Sequence, residues 1–99
     1  MKFIVLRELS GLKTAEIIRA VIERPSQGAG VEAIRAGCRV LDAIESNDSP
    51  IRLALEDADH AFLVRAINGF TFGLVSKDLL TIVDDILNAA PRTGTSEAA

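Results

Sequence analysis

The chain has 99 residues and a mass of 10.6 kDa, with 48% hydrophobic and 25% charged residues and a formal charge of -3. These values suit one compact domain and leave no room for a second. At this size conformational entropy opposes folding by roughly 100 to 200 kcal/mol, so nearly every large apolar side chain is needed in the core and little remains to shape a deep pocket.

Charge and cysteine content narrow the class further. Residues 1 to 45 carry seven bases against six acids, and residues 46 to 99 carry four against eight, so no basic face is concentrated enough to hold phosphates. One cysteine, Cys38, cannot form an internal disulfide, which fits a reducing compartment, and the bacterial cytoplasm is the expected location. The apolar start Phe3-Ile4-Val5-Leu6 is broken by Arg7 and Glu8, and no apolar run approaches 18 residues. Secretion and membrane spanning are not expected. Fourteen Ala and eight Arg against three Lys suggest a GC-rich bacterial or bacteriophage coding region.

In chain order, Lys2 to Leu9 is a short run rich in Phe, Ile and Val that ends at Ser10-Gly11 and predicts a buried strand. Thr14 is the expected N-cap of a first helix. Glu16 falls in its first turn, Ile17, Ile18, Val21 and Ile22 form its apolar stripe, and Pro25 follows its end near Arg24. Glu16, Arg19 and Glu23 stand three and four apart on its solvated side.

Pro25 to Gly30 is loop by composition. Val31, Ile34, Cys38, Leu41 and Ile44 then trace the expected buried stripe of a second helix of about 15 residues, with Cys38 packed inside. Ser46 to Pro50 is turn chemistry, and the alternation over Ile51 to Glu56 predicts a half-buried second strand.

Asp57 is the expected N-cap of a third helix whose stripe is Phe62, Leu63, Ala66, Ile67 and Phe70, with Gly69 as terminator. Ser76 caps a fourth, with Leu79, Leu80, Val83, Ile86 and Leu87 inward and Asp84 and Asp85 outward. The expected fold is therefore α+β and predominantly helical, in the order β-α-α-β-α-α, with a small two-stranded sheet and four amphipathic helices. Residues 1–90 form the expected compact domain and 91–99 a disordered tail. The two strands are expected to pair with each other, or to be completed from another chain.

The candidate chemistry is thin. Gly28-Ala29-Gly30-Val31-Glu32-Ala33 matches G-x-G-x-x-A at a helix start, but the fingerprint requires a strand immediately before it and here a helix and Pro25 precede it. Glu56-Asp57-Ala58-Asp59-His60 gathers three carboxylates and the only histidine; without a second His or Cys nearby, structural capping explains it better than a metal. One histidine at a helix start cannot serve every base role, so no enzyme, cofactor, metal or small-molecule ligand is expected. Phe72 lies between two glycines in a connection, which makes it a candidate interface anchor. Asp57, Asp59, Asp84 and Asp85 are candidate contacts for a partner.

The stretches Leu55-Glu56-Asp57-Ala58-Asp59-His60-Ala61-Phe62-Leu63 and Ile82-Val83-Asp84-Asp85-Ile86-Leu87-Asn88-Ala89 resemble short proteins encoded in bacteriophages and prophages of GC-rich bacteria. The resemblance covers about 40 residues plus the Lys2 to Leu9 start and transfers no functional residue. It implies a small phage protein acting by protein contact, in head or tail assembly or on a host target. A full apolar stripe on every helix, two strands too few for a closed sheet and no convergent polar site point to a non-enzymatic protein that self-associates or docks on a larger partner as an assembly factor or minor structural component. Two alternatives are an inhibitor or regulator that binds a host complex through the four acids, and a small DNA-binding regulator that uses Arg35 and Arg39 on a recognition helix.

Overall fold

The computed structural model describes residues 1–24, 30–73 and 75–89. The tail expected over 91–99 and the Gly28-Ala29 part of the glycine-rich loop lie outside the described residues. The order is β1 (Lys2–Val5), β2 (Glu8–Leu9), β3 (Leu12–Lys13), α1 (Thr14–Glu23), α2 (Val31–Glu45), β4 (Arg52–Leu55), α3 (Asp57–Asn68) and α4 (Lys77–Leu87). Four helices and the β1/β4 sheet bear out the expected α+β class and its β-α-α-β-α-α order. No described helix is long and apolar enough to cross a membrane.

The first predicted strand is split. β1 keeps its start, but the chain then folds into a miniature hairpin in which Glu8 faces Lys13 and Leu9 faces Leu12. Ser10 and Gly11 turn it with φ of 52° and 81°, the positive values that a two-residue hairpin turn matching the strand twist demands. Its base is fastened by Thr14, whose backbone N–H and Oγ1 both donate to the Arg7 carbonyl while Oγ1 accepts from the Arg7 N–H. Thr14 is thus the first residue of α1, fully buried, and Lys13 occupies the N-cap position instead.

β1 and β4 pair antiparallel, Ile4 opposite Leu53 and Lys2 opposite Leu55. Period-2 alternation places Ile4, Leu53 and Leu55 in the core and leaves Val5 and Arg52 on the outside. Onto the inner face pack Ile18 and Val21 from α1, Val40 from α2, Leu63 and Ile67 from α3, and Ile82 and Ile86 from α4. Each such side chain, fully buried, contributes about 1.5–3 kcal/mol of transfer free energy. On α4 the buried row is Leu79, Ile82 and Ile86. Leu80, expected inside, is exposed, because one residue of rotation carries it about 100° away from Leu79.

Helix ends follow local chemistry. Ser76 accepts from the Leu79 N–H as the expected N-cap of α4, and Gly69 closes α3 with its N–H on the Arg65 carbonyl. Asp57 is not a cap: Glu56 holds that position, and Asp57 begins α3. Between α2 and β4, Ser49 Oγ accepts from the N–H groups of Ile51 and Arg52, the side-chain turn expected of that segment.

Candidate functional site

The four acids named from sequence are divided by the fold. Asp57 is exposed and lies 2.7 Å from the Met1 ammonium, which holds its carboxyl below the ordinary range. Asp84 is also exposed. Asp59 is buried, receiving the Arg39 Nε at 2.9 Å, so it joins α3 to α2 and is not presented outward.

Asp85 points inward too, contrary to its expected outward position. Arg7 Nε stands 2.6 Å from its Oδ2 and Arg7 Nη2 donates to Oδ1 at 3.3 Å. The Oδ2 contact is a charge contact out of hydrogen-bond alignment, so this buried oxygen is only partly compensated. Burial therefore pushes the Asp85 carboxyl above its ordinary value, against the opposing pull of Arg7. Together with the Ser10 hydroxyl donating to Asp78, this pair clips the hairpin onto α4.

The Glu56 to His60 cluster does not converge. His60 turns away from the acids into the core, where its Nε2 donates to the Ile86 carbonyl at 2.8 Å. That carbonyl is in the last turn of α4, where intrahelical donors run out, so His60 ties the start of α3 to the end of α4. Phe72 is half-buried against Phe70, ring centroids 4.7 Å apart and edge to face, and both rings pack on the core.

The main departure from expectation is on α2. Its buried residues are Ala36, Gly37 and Val40, with Ala33, Ala43 and Ile44 half-buried beside them. Val31, Ile34 and Cys38, expected inside, face solvent, Val31 at 63% and Ile34 at 54% exposure, with Leu41 half-buried at their edge. The cause is closeness: a Cβ on Gly37 would lie 3.0 Å from Ile22 Cγ2, so α1 and α2 approach along small residues and the larger ones are turned out.

This outer face borders a groove of about 780 Å³ whose walls include Ile22 of α1, Ile34, Cys38 and Leu41 of α2, and Phe62 and Arg65 of α3. Glu23, Glu32 and Arg39 also line it. Outside the groove lining, Arg35 reaches Glu32 only at 3.8 Å with both side chains well exposed, Arg19 bridges loosely to Glu23 at 3.6 Å and Glu45 at 3.8 Å, and Asp42 is exposed. The outer face of α2 is thus an exposed apolar strip beside a groove. The signal for it was present in sequence, as the small residues Ala33, Ala36, Gly37, Val40 and Ala43 on the face of α2 opposite Cys38.

Comparison with protein-family models, with curated proteins and with solved structures gave no match.

Proposed function

We propose that this chain is a non-enzymatic protein-interaction protein, working as an assembly factor or minor structural component of a bacteriophage or prophage, with the outer face of α2 as its contact surface. One observation carries the reading: Val31, Ile34 and Cys38 form an apolar row on the solvent side of a helix whose opposite face already packs the core. Single exposed apolar residues such as Leu80 need no explanation, but several gathered on one helix face form a patch of the kind that marks a contact surface. The bacteriophage setting rests on the resemblance of residues 55–63 and 82–89 and on the Arg- and Ala-rich composition.

The alternatives have less behind them. A host-directed inhibitor using the acids loses two of its four contacts, because Asp59 and Asp85 are engaged by Arg39 and Arg7. A DNA-binding α2 would need Arg39 free, and Arg39 is held by Asp59.

The test is light scattering across a concentration range together with co-expression alongside capsid, portal and tail proteins, for the native chain and for Val31→Glu/Ile34→Glu. Association with itself or with one of these proteins, lost in the double variant, supports the reading. A strict monomer that binds none of them overturns it.

A further inference from the structure

We infer that the outer face of α2 is self-complementary and binds a second copy of this chain, the two α2 helices running antiparallel with Cys38 opposite Cys38. This rests on the interaction reading above and names its partner. α2 spans Val31–Glu45, so Cys38 is its middle residue and lies at the centre of the exposed face. At about 100° and 1.5 Å per residue, Ile34 and Leu41 fall about 40° and 60° to one side of Cys38, and Arg35 and Asp42 about 60° and 40° to the other. The Ile34/Leu41 flank is apolar over the two turns about Cys38, with Glu45 about 20° to the same side at the helix end, 3.8 Å from Arg19. The other flank carries Val31 about 20° from Cys38 and one charge of each sign, Arg35 and Asp42, at opposite ends.

A two-fold axis across the helices reverses their direction and keeps each flank on its own side. Ile34 then meets the second copy's Leu41, and Arg35 meets the second copy's Asp42, each pair occurring twice with an axial offset of about 1.5 Å. Parallel pairing, by an axis along the helices, exchanges the flanks and sets Arg35 against apolar residues, so charge selects the antiparallel arrangement. Neither charge is committed elsewhere: Arg35 has the loose 3.8 Å contact with Glu32, and Asp42 has no ion-pair partner among the described residues. The small Cys38 at the crossing suits the 8–10 Å at which packed helices approach.

The experiment combines sedimentation of the full chain over a concentration range with cross-linking of Cys38 by a short bismaleimide. The expected result is a concentration-dependent dimer that cross-links through Cys38 and is abolished by Ile34→Glu. Arg35→Asp should weaken the dimer about tenfold, and adding Asp42→Arg should restore it to within about threefold of the native chain. All three positions are exposed, and far-UV circular dichroism verifies that each variant is folded. A monomer throughout, a dimer whose Cys38 does not cross-link, or a charge swap without recovery overturns the inference. If the chain is monomeric while Val31→Glu/Ile34→Glu still removes binding to a co-expressed structural protein, the second copy is excluded and the interaction reading stands. If no association of either kind is found, both fall.

Discussion

Gly37 on α2 sits so close to α1 that a methyl group in its place would stand 3.0 Å from Ile22 Cγ2. Two effects oppose each other at this position. Alanine gains about 0.8–1 kcal/mol of helix propensity over glycine, while forcing Ile22 aside costs about 1–3 kcal/mol, since a β-branched side chain in a helix has essentially one rotamer. Gly37→Ala should therefore lie between neutrality and about 2 kcal/mol of destabilisation by urea denaturation. Gly37→Leu, which cannot be absorbed by a small shift, should cost more than 2 kcal/mol. A leucine variant as stable as the native chain would mean that α1 and α2 are not held at this distance.

Arg39 and Asp59 differ in exposure, with side chains 57% and 10% accessible, and the consequence of breaking the pair follows from the buried partner. Solvent screens most of the attraction on the arginine side. The carboxylate, however, has little water to replace its partner. Arg39→Ala should destabilise by about 1–3 kcal/mol, and Asp59→Asn in the same background should recover part of that loss by removing the uncompensated charge. A double-mutant cycle on denaturation free energies decides it, and strict additivity would show that the pair is not coupled.

The elements legible in sequence were those long enough to display a period. α1, α3 and α4 show their apolar rows, and β4 shows its alternation through Leu53 and Leu55. The β2/β3 hairpin escaped because two-residue strands have no period, and Ser10-Gly11 reads as readily as a strand end as a turn. On α2, hydrophobic size pointed the wrong way: Val31, Ile34 and Cys38 outweigh Ala33, Ala36 and Gly37 in apolarity, yet only the small residues permit the approach to Ile22. Asp84 and Asp85 stand about 100° apart on α4, and an apolar stripe read through Leu80 and Leu87 turns both outward. The buried row Leu79, Ile82 and Ile86 lies nearer Asp85, which meets Arg7, 78 residues earlier in the chain.

His60 is the link between two helix ends that no local pattern joins. Its buried ring fills space beside the core and supplies a donor to the Ile86 carbonyl. His60→Ala should lose both packing and hydrogen bond, about 2–4 kcal/mol, whereas His60→Phe should lose chiefly the hydrogen bond, about 1–2 kcal/mol. Hydrogen exchange gives an independent readout: the Asn88 amide, bonded to the Asp84 carbonyl in the same final turn, should lose protection in both variants beyond the global change. Unchanged protection there would confine His60 to a packing role.

Asp85 predicts how stability depends on pH. Its carboxyl is raised from the usual 3.8 by burial, so the folded chain holds this proton more tightly than the unfolded chain does. The stabilisation linked to that proton is full below about pH 3.8 and is lost as pH rises through the folded-state value. Asp85→Asn cannot ionise and has no such loss. The variant should thus gain on the native chain as pH rises from about 3 to about 7, ending equal or up to about 1 kcal/mol more stable despite losing its charge contact with Arg7. Urea denaturation of both proteins at several pH values measures the difference. If the asparagine variant instead falls further behind as pH rises, attraction to Arg7 outweighs the cost of burial, and the hairpin is held to α4 by charge.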